Sequence, residues 1–397
     1  MVSPRQTARK LCIATPEFPP EQWGGLARTA GRVAEHAAAM GLEAHVAHLN
    51  VEPSTRVFLD ENRETRIVDG IFVHRIVVGR ETMAGGDRDL WQCPHTLTLR
   101  MMYQSLEMLH LEHGFDLFHA FFLYPVGFVT GLLARRMHRP TLVTIVGNDI
   151  NKYIFSPEKT AVCKSALETA DLVVALSRDL VELANSLTPI RERARIVYNA
   201  VNVPEQAWQS RAGERGPFRV GCAGIFKYAK GLPYLMKAVA QLAGSHDLVL
   251  ELRGTLRDSE KDVFKTMVEA TGIGDILRFR EPLPHERVPE WLRSLDAFVL
   301  PSVSEGCPNI LMEALAVGVP CVATRTGAGK ILIEDRISGM LVPWGNSQAI
   351  ADALAEVMDD PRFAAGLGTA ARERMKLFSA AREREEWERI YRELIDF

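Results

Sequence analysis

The sequence predicts an α/β protein with two doubly wound domains, and three observations point to this fold class. Short, continuously apolar runs alternate with amphipathic helical patterns, which is typical of a parallel sheet covered on both faces. The alternation lapses in a polar stretch over 201–217 and then restarts. Finally, a chain of 397 residues is long enough for two domains of ordinary size.

The first half contains five apolar runs that we interpret as strands buried on both faces. These runs cover 11–15, 44–49, 117–121, 141–146 and 172–176. After the first run, apolar residues from Leu26 to Ala37 recur at helical spacing, and Gly41 follows as a stop signal. In 65–78 an Asp-Gly pair lies between alternating apolar residues, which predicts a β-hairpin.

The second half repeats the same alternation of strand and helix. Its predicted strands cover 219–223, 248–253, 277–279, 297–300 and 321–323. We therefore predict an N-terminal domain over 1–203, a C-terminal domain over 204–378 and a closing helix within 379–397. In such sheets ligands bind outside the carboxyl ends of the strands, so candidate site residues are sought there.

The closing helix is predicted over 380–395. It places Trp387, Ile390, Tyr391 and Leu394 on one apolar face. No strand pattern follows this helix, so its apolar face has to dock on a sheet formed earlier in the chain. We expect it to pack back on the N-terminal domain.

Composition restricts the functional classes. With 47% hydrophobic and 24% charged residues and a net charge of −3, the chain is an ordinary globular protein without the basic field that nucleic-acid binding requires. Six scattered cysteines favour a reducing compartment, and neither a signal peptide nor a membrane span is expected. We predict a cytoplasmic protein. The basic cluster at Arg135, Arg136, His138 and Arg139 leaves contact with the inner membrane face open, although a solvated helix end explains it better.

The most informative segment is SEGCPNILMEA, over 304–314. It follows an apolar strand and enters a helix through Gly306, Cys307 and Pro308. The backbone amides of Asn309, Ile310 and Leu311 are then expected to lack intrahelical partners and to carry the positive end of the helix dipole. Such a helix start is suited to bind a diphosphate.

Two carboxylates flank this helix start. A carboxylate only accepts hydrogen bonds and has two oxygens, which suits a vicinal diol. Glu305 and Glu313 could therefore hold sugar hydroxyls and a ribose. The alternatives are that Glu313 is a helix-surface residue paired with a cation and that Glu305 only interacts with the helix dipole.

These residues resemble the E-x7-E signature of retaining glycosyltransferases with the GT-B fold, a large family that includes bacterial sugar transferases and sucrose synthases. The resemblance extends to other segments: 15–28, 118–127, 144–150, 197–202, 223–231 and 300–324. It implies two Rossmann-like domains that face each other across a cleft. It also implies that a nucleotide-diphosphate sugar is the donor, with UDP as the expected nucleotide.

The resemblance implies a role for each matching residue in the second domain. Glu313 would hold the donor ribose, Glu305 the transferred sugar, and Lys230 the diphosphate leaving group. Lys227 would replace the arginine of the family, whose aligned position holds Ile225. The complete expected donor site is Gly24, Gly25, Lys227, Lys230, Glu305, Gly306, Cys307, Pro308, Asn309, Ile310, Leu311 and Glu313.

In the first domain, Gly24 and Gly25 open the first helix, where glycine allows a diphosphate to approach the backbone closely. The resemblance places His119 on the acceptor side with a catalytic role, together with Asn148 and Asp149. A histidine in an apolar run is, however, more often a hydrogen-bonded core residue.

The chain also departs from the family pattern in the first domain. Phe121 and Val146 stand where the family has further histidines. The histidine that commonly contacts the donor sugar in the family is therefore expected to be absent, which puts efficient sugar transfer in the usual way of the family in doubt.

The expected function is transfer of a sugar, with retention of configuration, to a hydroxyl of a sugar, lipid or small-molecule acceptor. No metal or other cofactor is expected, because the Asp-Arg-Asp at 87–89 lies in a polar glycine-rich stretch that we interpret as a loop. Hydrolysis of ATP or GTP is not expected either, because Gly327–Lys330 lacks the other residues of a Walker motif. The alternatives are a catalytically silent nucleotide-sugar-binding homologue, and an epimerase or phosphorylase on the same fold.

Overall fold

The structure is a computed structural model that describes residues 8–22, 24–52, 63–79, 96–211, 213 and 216–397. The chain divides into two compact units. Unit 1 is Met1–Tyr198 together with Glu383–Phe397, and unit 2 is Asn199–Arg382. Each unit is a largely parallel sheet with helices packed on it, which confirms the predicted fold class. No helix in the described ranges is long and apolar enough to cross a membrane.

The sheet of unit 1 has the strand order β3-β4-β2-β1-β5-β6-β7-β8 among the described residues. The strands are β1 Lys10–Thr15, β2 Glu43–Glu52, β3 Arg63–Val68, β4 Ile71–Gly79, β5 Leu117–Phe121, β6 Thr141–Ile145, β7 Leu172–Ala175 and β8 Ala194–Ile196. All pair in parallel except β3 with β4. Strands β5, β6 and β7 are buried along their whole length, as continuous apolar runs require.

The predicted hairpin is confirmed. Strands β3 and β4 are antiparallel and are joined by Asp69 and Gly70, both of which have positive φ (51° and 81°). Asp-Gly favours such a turn because these two residue types tolerate left-handed backbone.

The helices of unit 1 lie between these strands. They are α1 Gly25–Ala39, α2 Thr96–His113, α3 Phe128–Arg136, α4 Asn148–Asn151, α5 Pro157–Thr169 and α6 Arg178–Asn185. The core contains Leu26, Ala30, Val33 and Ala37 from α1, which is the predicted apolar stripe.

Unit 2 has a parallel sheet with the order β11-β10-β9-β12-β13-β14. The strands are β9 Phe218–Phe226, β10 Leu248–Leu256, β11 Leu277–Arg280, β12 Ala297–Leu300, β13 Cys321–Thr324 and β14 Met340–Val342. The helices are α7 Leu232–Leu242, α8 Lys261–Thr271, α9 Val288–Arg293, α10 Asn309–Val317, α11 Gly329–Leu332, α12 Ser347–Asp359 and α13 Pro361–Met375. Strands β8 and β14 were not predicted, since three residues are too short for a periodic pattern.

The last helix, α14, covers Ala380–Arg392, and its residues from Glu383 onwards belong to unit 1. Trp387, Ile390 and Tyr391 are buried in the same apolar cluster as β1 and α1. Glu383 adds a buried ion pair, because its carboxylate accepts from Arg32 Nε at 3.0 Å. The predicted apolar face of this helix thus completes the core of the first unit.

Candidate functional site

In unit 2 two loops meet at the carboxyl ends of β9 and β12. The amide of Val303, after β12, donates to the carbonyl of Ala229, after β9, at 2.9 Å. Gly231 has a left-handed backbone (φ +65°), and a Cβ at this position would lie 1.9 Å from the carbonyl oxygen of Pro301. Glycine is therefore required here by both backbone conformation and space.

The two loops bring Lys230 and Glu305 into direct contact. Lys230 Nζ donates to Glu305 Oε1 at 2.6 Å, and Ser302 Oγ donates to the same oxygen at 2.6 Å. The side chains are 18% and 13% exposed, so the pair is partly screened from water but still reachable. Both residues were predicted for the site, and the structure places them together.

Helix α10 starts beside this pair, with Pro308 as its N-cap residue. The expectation of three unpaired amides is wrong for Leu311, whose amide donates to the carbonyl of Pro308 at 3.1 Å. A tight three-residue turn of this kind is common in the first turn of a helix. The amides of Asn309 and Ile310 remain the candidates for a bound anion.

The segment before α10 is held by a residue that the sequence did not assign to the site. Asn199 is buried, and its Nδ2 donates to the carbonyl of Cys307 at 3.2 Å and to Asn309 Oδ1 at 2.8 Å. Asn199 comes from the family-like segment 197–202, which is the only signal that could have identified it.

The same segment is also held from the side of α11. Ala328 donates its amide to the carbonyl of Gly306 at 2.7 Å. A Cβ at Gly327 would lie 2.3 Å from the carbonyl oxygen of Glu305. The segment Gly327–Lys330 thus packs against the loop that carries Glu305 and helps to fix its backbone.

Glu313 lies in the second turn of α10, with its side chain 12% exposed. Its Oε1 lies 3.2 Å from Nε2 of His285, a side chain that is 51% exposed. His285 follows β11 in a loop whose conformation the sequence does not reveal. The alternative that Glu313 is only paired with a cation therefore applies to this contact only if His285 is protonated, because a neutral imidazole is not a cation.

Lys227 follows β9 in extended conformation and is half-buried. Its carbonyl accepts the amide of Lys230 at 2.8 Å, which starts the short turn that carries Lys230. Ile225, at the position of the family arginine, is 52% exposed. The role of the Lys227 side chain stays a prediction.

In unit 1 the predicted glycines lie at the start of α1, where Gly24 is the N-cap and Gly25 the first helical residue. Gly24 has φ −64°, so its backbone does not require glycine. A Cβ there would lie 3.1 Å from Glu17 Oε2, a tight contact that a small shift of the Glu17 side chain would relieve. Burial raises the pKa of Glu17. A side-chain carboxylate therefore already lies beside this helix start, and the approach of a diphosphate stays a prediction.

His119 is in the core of unit 1, which argues against its predicted catalytic role. It is completely buried, with Nδ1 2.9 Å from Tyr391 Oη and Nε2 2.8 Å from Thr144 Oγ1. Its ring stacks on Phe121, and burial lowers its pKa to about 3. With both nitrogens paired inside the core, His119 has no atom left for an acceptor. It is the hydrogen-bonded core residue of the alternative interpretation.

The carboxylate of Asp149 likewise hydrogen-bonds to backbone amides of unit 1. It is completely buried, and its carboxylate accepts the amides of Gly147 at 2.8 Å, Ile150 at 3.2 Å and Leu123 at 3.4 Å. Burial raises its pKa to about 6, although these amide hydrogen bonds act in the opposite direction. Asp149 therefore fixes the loops after β5 and β6. The side chain of Asn148 lies outside the described structure.

Two other sequence features have simple outcomes. In the basic cluster, Arg136 pairs with Glu107 at 2.7 Å and Arg139 lies 3.9 Å from Asp116, as expected for a solvated helix end. The polar segment 81–95, with the Asp-Arg-Asp at 87–89, lies outside the described residues. Neither observation tests whether the basic cluster contacts a membrane, so that contact stays a prediction.

Comparison with known proteins gives matches in both units. The family model "Glycosyl transferases group 1" matches residues 205–374, and "Glycosyl transferase 4-like domain" matches residues 24–200. These ranges together include every site residue predicted from the sequence.

Several curated relatives are named D-inositol 3-phosphate glycosyltransferase. The chain is 33% identical to the one from Arthrobacter sp. over 39% of this chain and 38% of the relative, so it spans well under half the length of that relative. It is 26% identical to the one from Streptomyces avermitilis over 83% of this chain and 76% of the relative.

Among solved structures, Anabaena HepE in complex with UDP-glucose is similar in fold. It aligns with a TM-score of 0.72 and 18% identity over 97% of this chain and all of that chain. The fold expected from the GT-B resemblance is thus confirmed.

Proposed function

Because the chain belongs to the group 1 family of glycosyltransferases, we propose that it transfers a sugar from a nucleotide-diphosphate sugar to an acceptor hydroxyl. The observation that carries this proposal is the arrangement at the start of α10. Glu305, ion-paired with Lys230, precedes the first helical residue by four positions, and Glu313 lies in the second turn.

The leaving group of such a reaction is a nucleoside diphosphate, and catalysis requires positive charge where its negative charge develops. Lys230 and the amides of Asn309 and Ile310 supply that charge. Glu305, held by Ser302 and Lys230, accepts hydrogen bonds from hydroxyls of the transferred sugar. Glu313 accepts hydrogen bonds from the ribose hydroxyls.

We propose that configuration is retained. The bond from the anomeric carbon to the leaving phosphate oxygen breaks while the acceptor oxygen bonds to the same face of that carbon. The acceptor proton passes to the leaving phosphate. No protein base is needed for this step, which agrees with His119 being enclosed in the core. Lys230 and the helix start take the place that a metal ion has in other phosphoryl-leaving reactions, so we propose metal-independent transfer.

We propose UDP as the nucleotide, since the fold is shared with a protein solved with UDP-glucose. The names of the curated relatives make D-inositol 3-phosphate the first acceptor to test, followed by other sugar, lipid and small-molecule hydroxyls.

The test is performed on the full chain in the presence of EDTA. Calorimetry with UDP, GDP and ADP identifies the nucleotide, and the matching nucleotide sugars are then incubated with an acceptor panel. Release of nucleoside diphosphate that depends on acceptor, with an axial product anomer from an axial donor by NMR, is the expected result. Failure to bind any nucleoside diphosphate would overturn the proposal.

The alternative is a silent homologue that binds nucleotide sugars, and one observation favours it. The family's further histidines are replaced by Phe121 and Val146, and His119 has no free nitrogen. Tight nucleotide binding without turnover over the whole acceptor panel would establish this alternative.

A further inference from the structure

Three histidines of unit 1 that take no part in the candidate donor site lie together near the β3 edge of the sheet. His45 is on β2, His74 on β4 and His113 at the end of α2. One ring nitrogen from each lies within 4.8 Å of the other two. His45 Nδ1 and His74 Nε2 are 2.9 Å apart. Zn–N bonds of about 2.0–2.1 Å place tetrahedral ligand nitrogens about 3.3 Å apart. This value lies between the 2.9 Å separation of His45 and His74 and the 4.8 Å limit for the whole trio.

The outer ring nitrogens of the first two histidines already have partners. His45 Nε2 lies 3.0 Å from Glu43 Oε1, and His74 Nδ1 lies 2.9 Å from Thr65 Oγ1. A carboxylate can only accept, so His45 carries its proton on Nε2 and directs the Nδ1 lone pair at His74. A threonine hydroxyl can also accept, so His74 can carry its proton on Nδ1 and keep a lone pair on Nε2. Metal-binding histidines are held in this way by hydrogen bonds on the opposite nitrogen.

The third histidine has an unpaired nitrogen. His113 Nε2 is buried and makes no hydrogen bond within the described part of the chain. Glu112 Oε1 lies 3.5 Å from it. A buried polar atom without a partner is costly, and a missing ion or water is one of its ordinary explanations. The side chain of His113 is 21% exposed, whereas His45 and His74 are buried, so the trio is nearest to solvent on the side of α2.

We propose that His45, His74 and His113 bind a divalent transition metal ion, Zn²⁺ by the chemistry of the ligands. Three imidazoles suit zinc, and Glu112 or water supplies the fourth ligand. His45 is the third residue of β2, near the amino end of the strand, whereas ligands of doubly wound sheets bind at the carboxyl ends. The ion is therefore structural and ties α2 to the β3-β4-β2 edge.

The test uses the full chain after removal of metal with EDTA. Titration with Zn²⁺ against a chromophoric chelator should show one tight site per chain, and the melting temperature should rise by several degrees with Zn²⁺. Co²⁺ should give the intense visible bands of a tetrahedral nitrogen-rich site. His113→Gln should weaken Zn²⁺ binding at least tenfold and abolish the shift in melting temperature.

His110→Gln is the matched control, since His110 is on the same helix but outside the trio. It should bind Zn²⁺ like the wild type. Circular dichroism of metal-free His113→Gln should match that of the wild type, because this side chain is partly exposed. Absence of a stoichiometric site in the wild type would overturn the proposal, and so would equal Zn²⁺ affinity of the wild type and His113→Gln. Either result would show that the histidines are a hydrogen-bonded stack only.

Discussion

Two candidate residues of unit 2, Lys230 and Glu305, are paired with each other and partly exposed to water, whereas His119 and Asp149 of unit 1 are enclosed by the core. Glu305 and Lys230 are 13–18% exposed and form a pair that a ligand can rearrange. His119 and Asp149 have no exposed surface, and the polar atoms of their side chains are bonded to the protein. Position at the end of a strand is therefore not sufficient for a functional role, because the partners and burial of a side chain decide whether it can reach a ligand.

The largest effect that this comparison predicts is for Glu305→Gln. Loss of the carboxylate that orients the transferred sugar should lower kcat by about 100-fold or more. Affinity for free UDP should stay within about threefold or increase, because Lys230 loses its anionic partner. Steady-state kinetics and calorimetry check both values. Glu290→Gln, at an exposed position on α9, is the control, and an unchanged kcat in Glu305→Gln would contradict the assignment.

Glu313→Gln should have the next largest effect. Charge-assisted hydrogen bonds contribute about 1.5–3 kcal/mol, so affinity for UDP should fall about tenfold or more. The loss should disappear with a 2′,3′-dideoxy analogue of UDP, which lacks the ribose hydroxyls. His285→Asn, at the partly exposed partner of Glu313, should change UDP affinity by less than about threefold. An equal loss for UDP and the analogue would show that Glu313 does not hold the ribose.

Asn199→Ala tests the support of the helix start. It leaves the Cys307 carbonyl and the Asn309 side chain without their buried partner, so the free energy of unfolding should fall by about 1–3 kcal/mol. UDP affinity should also fall severalfold, since the amides of α10 lose their fixed position. Asn346→Ala removes the cap of α12 at a comparable cost in stability of about 1 kcal/mol and should leave UDP affinity unchanged. Equal UDP affinity in both variants would restrict Asn199 to a stability role.

His119→Gln should have the smallest effect on transfer. In the folded variant kcat/KM should lie within about threefold of the wild type, because His119 contacts only core residues. A loss of two orders of magnitude would restore the catalytic role predicted from the sequence.

The same variant should alter the acid sensitivity of the fold. The folded pKa of His119 is about 3, below the ordinary value of 6.5, so the unfolded chain binds the proton more readily between these values. Its contribution to stability is therefore present above pH 6.5 and is lost as pH falls toward 3. Denaturant unfolding at several pH values should show a steeper loss in the wild type than in His119→Gln. Parallel curves would contradict the burial of a neutral imidazole.

Local patterns predicted much of the fold. The Asp69-Gly70 turn, the apolar stripe of α1 and the buried strands depend on neighbouring residues, which is why they could be recognised in the sequence. The apolar face of α14 was also recognised. The hydrogen bond between Tyr391 and His119 was not, because the two residues are separated by 272 positions and meet only through the packing of unit 1.

The site was predictable by residue but not by contact. Lys230 and Glu305 were identified separately, while their pairing depends on β9 and β12 being neighbours in the sheet. Asn199 and His285 reach the site from distant loops and left little or no periodic signal. The amide of Leu311 was mispredicted because whether a first-turn amide is paired depends on the exact backbone turn at Pro308.

The measurement that tests the central claim most directly is the dissociation constant of UDP for the wild type and for Lys230→Ala. Lys237→Ala, an exposed lysine on α7 of the same unit, is the control. If a diphosphate binds where the β9 loop meets the start of α10, affinity should fall at least tenfold in Lys230→Ala and stay unchanged in Lys237→Ala. Equal UDP affinity in the wild type and Lys230→Ala would contradict the account.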